Sequence, residues 1–270
     1  LQLLAGSVNS SGPFTVNTGA NLLVASDALG SLALVNAGQV DLVDGALLSG
    51  AFTNNSGGIV NISATESTNA TVNLTSLVNN SGAIVNLNST SSVSNDLQVT
   101  LSSLSNSGTL NVIAGNGGAR SLSGDVSNTS SGIINLTDSD FTLNDNSGFD
   151  NSGTINIAAG QTLNVNSTTP TAMNLLAGSV NFNVASVLDV GTKNVVWHSG
   201  LLTGAGTVSG NTVFANGDKT LDGASISVAD ATLTSGSTLN LLSGSLATST
   251  FTVETGAELL IASNALGGSA

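Results

Sequence analysis

The chain has 270 residues, 40% of them hydrophobic and 7% charged, and its sixteen Asp and Glu against three Lys and Arg give a net charge of −13. That balance offers no basic footprint for a nucleic acid or an anionic membrane surface. The absence of cysteine removes disulfides and thiolate sites, and no run of about 18 apolar residues could span a bilayer. The chain starts at Leu1, with neither a Met nor a signal-like segment, and reads as an interior piece of a longer protein.

The residue vocabulary points to strands. There are 33 Asn and 32 Gly, while the apolar residues are mostly Leu, Val, Ile and Ala, with seven Phe, one Trp and no Tyr. Asn, Ser, Thr and Gly disfavour helix interiors and favour turns. The β-branched aliphatics suit strands. An all-β chain with many turns follows.

In chain order, the first phrase is "LQLLAGS" at residues 1–7, followed by "FTVNTGANLLVASDALG" at residues 14–30. Both return near the other end, as "LNLLSGS" at residues 239–245 and "FTVETGAELLIASNALG" at residues 251–267, the second pair being identical at thirteen of seventeen positions. Residues 1–30 are therefore equivalent to residues 239–267, a long repeat of 237 residues. Between the copies a shorter pattern recurs. "NNSGGIVNI", "NNSGAIVNL", "SNSGTLNV", "TSSGIINL" and "DNSGTINI" place glycines at Gly57, Gly82, Gly108, Gly132 and Gly153. Each is followed by an apolar–Asn–apolar triplet, Val60-Asn61-Ile62 being the first and Ile155-Asn156-Ile157 the last. Alternation with period two predicts a strand with its apolar residues inward and its Asn outward. The glycines spaced 21 to 26 residues apart predict rung corners, with Gly supplying positive φ. After the acidic stretch "TDSDFTLNDNSGFDN" (residues 137–151) comes a partial third copy, "MNLLAGSVNFNV" (residues 173–184), and then "VVWHSG". The Ser-Gly signal fades over residues 185–238, so rung boundaries there stay open.

A repeat of 20–25 residues with one short buried strand per corner predicts a single-stranded parallel β-helix, one continuous solenoid over residues 1–270. At roughly 22 residues and about 4.8 Å per rung the chain makes about twelve rungs, and the long repeat about eleven. Asn side chains in equivalent turns are expected to form hydrogen-bonded ladders along the axis.

The segments "FDNSGTINIAAGQTLNVNS" (residues 149–167) and "VVWHSGLLTGAGTVSG" (residues 195–210) resemble the passenger regions of bacterial autotransporters and filamentous-haemagglutinin-type adhesins. Those families carry loose phrases of the form NxGTIN, GxLxV and WxGGxLxGxG. Here His198-Ser199-Gly200 stands where a Gly-Gly pair is common. The resemblance implies a right-handed coil, export, and a place at the cell surface or in an extracellular fibre; it implies no active site.

Candidate chemistry is sparse. Asp138 and Asp140, two apart, would share one strand face and could hold Ca²⁺. Asp145 and Asp150 follow them, and Arg120 is the nearest cation in sequence. The lone histidine, His198, has no Cys or second His to complete a transition-metal site and reads as a surface or corner residue. Trp197 reads as corner packing, with a sugar-stacking platform as the alternative. Asp41, Asp44, Glu254 and Glu258 read as solvated turn charges, and Arg120, Lys193 and Lys219 are too scattered for a lyase acting on an acidic sugar. The expected function is structural: a repeat unit of an extracellular bacterial fibre, adhesin stalk or surface sheath, without catalysis and without a required cofactor. Its expected partners are copies of itself, end to end or side by side, or an extracellular polysaccharide or cell surface. A carbohydrate-binding adhesin module and a β-helical polysaccharide-acting enzyme are the alternatives.

Overall fold

The computed structural model describes residues 1–8, 10–64, 69–89, 95–115, 118–214 and 217–262. The end of the second long-repeat copy, from residue 263 onward, lies outside them. Among the described residues every element is a strand and every strand pair is parallel. The chain coils as a β-solenoid of about 11 turns with about 22 residues per rung. One sheet of thirteen strands begins at Gln2–Leu3 and ends at Glu258–Ile261; a second, of fourteen, begins at Phe14–Val16 and ends at Ser245–Val253. The chain alternates between them, which is what a period of about 22 with two buried stretches per turn requires.

Most strands of the second sheet are long and bend at a register irregularity, for example between Thr100 and Ser103 and between Asp189 and Asn194. A bulge turns the strand, so each rung has three straight stretches around one core. On two rungs the bend breaks the strand outright. Phe141–Asp145 and Phe149–Asn151 stack separately on Arg120–Asn128, and the strand is whole again at Val187–Trp197. The buried Asp145 holds the first break together. Its carboxylate accepts from the backbone N–H groups of Val126 (2.7 Å), Ser147 (2.9 Å) and Gly148 (2.7 Å), donors that the lost ladder would leave unpaired.

The triplets lie as their alternation predicts. Val60 and Ile62, Val85 and Leu87, Leu110 and Val112, Ile134 and Leu136, and Ile155 and Ile157 are all buried, with the Asn between each pair facing outward. They stack on one another residue for residue. The core they form is one continuous column of aliphatic and aromatic side chains from Val16 to Leu246.

The long repeat closes in register. At the last residue of each rung's bent strand, Val16 pairs with Asn36, then in turn Asn54, Asn79, Asn106, Asn128, Asn151, Leu175, Trp197, Phe214, Leu233 and Val253. Eleven steps carry Val16 onto Val253, its partner in the second sequence copy. The 237 residues are a whole number of rungs.

The five turn glycines divide into two kinds. Gly57 and Gly82 adopt φ of 81° and 76°, as expected of a left-handed corner. Gly108, Gly132 and Gly153 do not have positive φ, which corrects that expectation for them. They pack against the rung below, where a Cβ would stand 2.4 Å from the Ala83 carbonyl, 2.2 Å from that of Asn106 and 2.2 Å from that of Gly132. Crowding between stacked corners, not backbone conformation, selects glycine there.

Candidate functional site

The most developed polar constellation is the corner column of asparagines. Asn36, Asn54, Asn79, Asn106, Asn128 and Asn151 are each 0% exposed. Each of the first five donates Nδ2 to Oδ1 of the Asn one rung up, at 2.8, 2.9, 2.7, 2.8 and 2.8 Å in order. The same Nδ2 groups also reach strand-entry carbonyls, as in Asn54 to Ile84 (3.0 Å) and Asn106 to Ile133 (3.2 Å). A primary amide has two donors and two lone pairs. Stacking at the rung spacing satisfies it internally, and the ladder therefore survives burial that would cost an isolated amide about 1–3 kcal/mol.

A second ladder runs on the outer face of the thirteen-stranded sheet. Asn61 donates to Asp41 (2.7 Å), Asn86 to Asn61 (2.9 Å), Asn111 to Asn86 (2.9 Å), Asn135 to Asn111 (2.9 Å), Asn156 to Asn135 (2.8 Å) and Asn181 to Asn156 (2.7 Å). Its donors point down the coil, opposite to those of the buried ladder. Asp41 is thus not a solvated turn charge: it sits in strand Gln39–Leu42 and ends this ladder, accepting also from Gln39 Nε2 at 2.9 and 3.0 Å. Asp44 does lie in a turn, whereas Glu258 opens strand Glu258–Ile261 and Glu254 accepts from the Ser235 N–H at 3.0 Å.

The anticipated calcium pair is separated by its bonds. Asp138 and Asp140 lie in the bend after Ile133–Leu136, not on a strand. Asp138 caps the Ala114 N–H of the rung below, and Asp140 caps the Thr162 N–H of the rung above, both at 2.7 Å. The buried Ser139 between them turns them apart. Among the described residues no group of three or more His, Cys, Asp or Glu gathers where it could hold a metal ion.

Trp197 is 1% exposed, so its ring offers no face to a sugar; the platform reading is corrected and the corner-packing reading stands. The indole packs against the Phe214 ring, tilted by 45° at a centroid distance of 5.8 Å, and Nε1 donates to the Ser199 carbonyl at 3.1 Å. His198 is half-buried at the same corner, as is Lys193 on the bent strand before it. The two other cations are interior. Arg120, buried, donates Nε to the Ile113 carbonyl (3.1 Å) and a terminal nitrogen to that of Gly118 (3.0 Å), with Ala114 a further acceptor. Burial lowers its pKa, against the opposing pull of Asp96 and Asp138. Lys219, fully buried, donates Nζ to the Gly217 carbonyl at 2.7 Å. Burial pushes its pKa down to about 8, with Asp218 the opposing charge.

One surface depression, of about 230 Å³, is lined by Ser103, Ser105, Asp125, Ser127 and Asp150 together with the apolar Leu104 and Val126. Asp150 there already accepts from Asn174 at 2.8 Å.

Sequence reasoning expected a ladder of turn asparagines, and the Asn leading into each of these corners forms one, but buried; it placed the triplet asparagines outward without foreseeing that they form a ladder too. The available signal was recurrence: an Asn stands two to four residues before each of Gly57, Gly82, Gly108, Gly132 and Gly153, whether the turn is Asn106-Ser-Gly108 or the longer Asn79-Asn-Ser-Gly82.

Compared with family models, curated proteins and solved structures, the chain has no match in any of the three.

Proposed function

We propose that this chain is a structural repeat unit of an extracellular bacterial fibre, adhesin stalk or surface sheath, and that it acts mechanically rather than catalytically. The observation that carries the reading is register closure. Because Val16 reaches Val253 in a whole number of rungs, the uppermost strand Ser245–Val253 offers the next rung the same Phe-Thr-Val surface that Phe14–Val16 offers to Leu34–Asn36. Successive copies of a 237-residue block then continue one coil without a phase error, and continuous backbone ladders carry load along the axis. The buried amide ladder and the buried Asp145 and Arg120 support the same reading, since each spends its polar groups inside the fold. Export to the cell surface comes from the resemblance to adhesin passenger regions, and calcium is not required.

The test is a tandem chain in which Thr252 is followed by a second copy of residues 16–252. Its maximum dimension by small-angle scattering should exceed that of the single block by about 50 Å, from eleven rungs at about 4.8 Å, and it should melt with undiminished strand content per residue. Two beads joined by a hinge, or depolymerisation of a polysaccharide by the single block, would overturn the proposal.

A further inference from the structure

Seven consecutive strands of the thirteen-stranded sheet contain no charged residue: Ile59–Ala64, Ile84–Ser89, Thr109–Val112, Ile133–Leu136, Thr154–Ile157, Ser179–Phe182 and Gly200–Gly204. In a chain of net charge −13 that is a segregation. The fourteen-stranded sheet, by contrast, carries Asp125, Asp150, Asp189 and Asp230 on its strands. The outer surface of the uncharged stretch has two columns. One is the Asn ladder. The other, two residues earlier on each strand, is Ile59, Ile84, Thr109, Ile133 and Thr154 in direct register, partly exposed throughout and 37% exposed at Ile133. The ladder aligns the strands: side-chain ladders hold sheets flatter than their natural twist. Each interior ladder amide makes one bond up and one down, which leaves a second N–H and a second lone pair for a neighbour.

We propose that this face is a lateral contact, and that its occupant is the same face of a second copy. Charge selects that occupant. An acidic or basic partner finds nothing to pair with here, and two copies of so acidic a chain can approach closely only where neither presents a carboxylate. A β-branched column beside an amide column is self-complementary when two sheets meet about 10 Å apart, as in dry sheet-to-sheet packing. Seven strands at about 4.8 Å and four residues at about 3.3 Å cover roughly 440 Å² per copy, or about 900 Å² in all, the low end for a specific contact. A single pair of blocks therefore associates weakly, and copies repeated along two coils multiply the contact. This names a surface for the side-by-side packing of the fibre reading.

Sedimentation velocity from about 10 µM to about 1 mM tests it, a range that brackets a weak contact. The expected result is a concentration-dependent dimer that strengthens with added salt, since salt screens the repulsion between the acidic bodies. Ile84→Asp with Ile133→Asp should weaken association at least tenfold. So should Ile133→Lys, although it lowers the net negative charge. Val78→Asp, at an exposed outward site on the other sheet, should leave association unchanged. Each variant's urea midpoint shows that it is folded. A wild-type chain that stays monomeric throughout, or association lost equally in Val78→Asp, would overturn the lateral contact. A monomer whose tandem form still lengthens by whole blocks would leave the stalk reading standing.

Discussion

The corner column is polar over one half of the molecule and apolar over the other. From Asn36 to Asn151 it is a hydrogen-bonded amide ladder; from Leu175 to Val253 the same backbone position holds Leu175, Trp197, Phe214, Leu233 and Val253. Pairing at the corner position itself runs unbroken through the change, from Asn128 to Asn151, Leu175 and Trp197, so the corner accepts either chemistry. What differs is how the turn is satisfied. In the first half the ladder amides bond the corner carbonyls. In the second, turn residues take over: Ser237 Oγ donates to the Phe214 carbonyl at 3.2 Å, Thr234 Oγ1 to the same oxygen at 2.9 Å, and Trp197 Nε1 to Ser199. A ladder amide depends on both neighbours, whereas a ring in a stack depends on the shape of its own pocket.

The sharpest way to break the ladder is in its middle. Asn106→Leu removes the donor to the Asn128 Oδ1 and to the Ile133 carbonyl, and leaves the Asn79 amide with only its bond to the Thr109 carbonyl at 3.2 Å. At about 1–3 kcal/mol per orphaned group it should cost about 4–5 kcal/mol in equilibrium urea unfolding. Trp197→Ala removes a buried ring and its contact with Phe214, and should cost about 3–4 kcal/mol by the same measurement. That loss should be confined to nearby rungs, with hydrogen exchange accelerated around residues 175–233 and unchanged below the Asn ladder. Asn151 is the ladder's last member, and above it stands Leu175. Asn151→Leu orphans chiefly the Asn128 donor, which keeps weaker bonds to Gly132 and Thr154 at 3.3 and 3.4 Å. Its cost should be only about 1–2 kcal/mol. A cost equal to that of Asn106→Leu would mean that the ladder acts as one unit.

Lys219 sharpens the comparison from the apolar half. Its pKa in the fold, about 8, lies below its ordinary 10.5, so between those values the unfolded chain binds the extra proton. Stability should therefore rise as pH climbs through that window, and the full penalty stands below it. Lys219→Met should raise the urea midpoint modestly at pH 7, an effect of about 1 kcal/mol, with the difference from wild type closing toward pH 10.5. A difference that persists there would assign the gain to packing.

The coil, its period and the inward–outward sense of its strands were legible because they rest on residues that alternate, such as Val60-Asn61-Ile62 above Val85-Asn86-Leu87. A ladder of turn asparagines was legible too, but its burial was not. Asn54 and Asn61 are the same residue type seven positions apart, and only the stacked neighbour decides that one is interior and the other outward. Propensity reads an Asn beside Ser-Gly as a turn former; a hydrogen bond to a residue 25 positions away overrides it. Trp197 hid its role for a related reason. Nothing local to "VVWHSG" reports that Phe214 lies directly above it. Arg120 and Lys219 were read by their charge, while their hydrogen bonds to backbone carbonyls within seven residues, invisible before the chain is folded, keep them inside.

The opposed directions of the two amide ladders have a consequence for length. In an α-helix every peptide dipole adds, and the ends acquire partial charge. Here five inner amide bonds point up the axis and six outer bonds, counting the one to Asp41, point down it. Their moments largely cancel within each block. A filament built from many such blocks therefore gathers little polarisation from these two ladders however long it becomes.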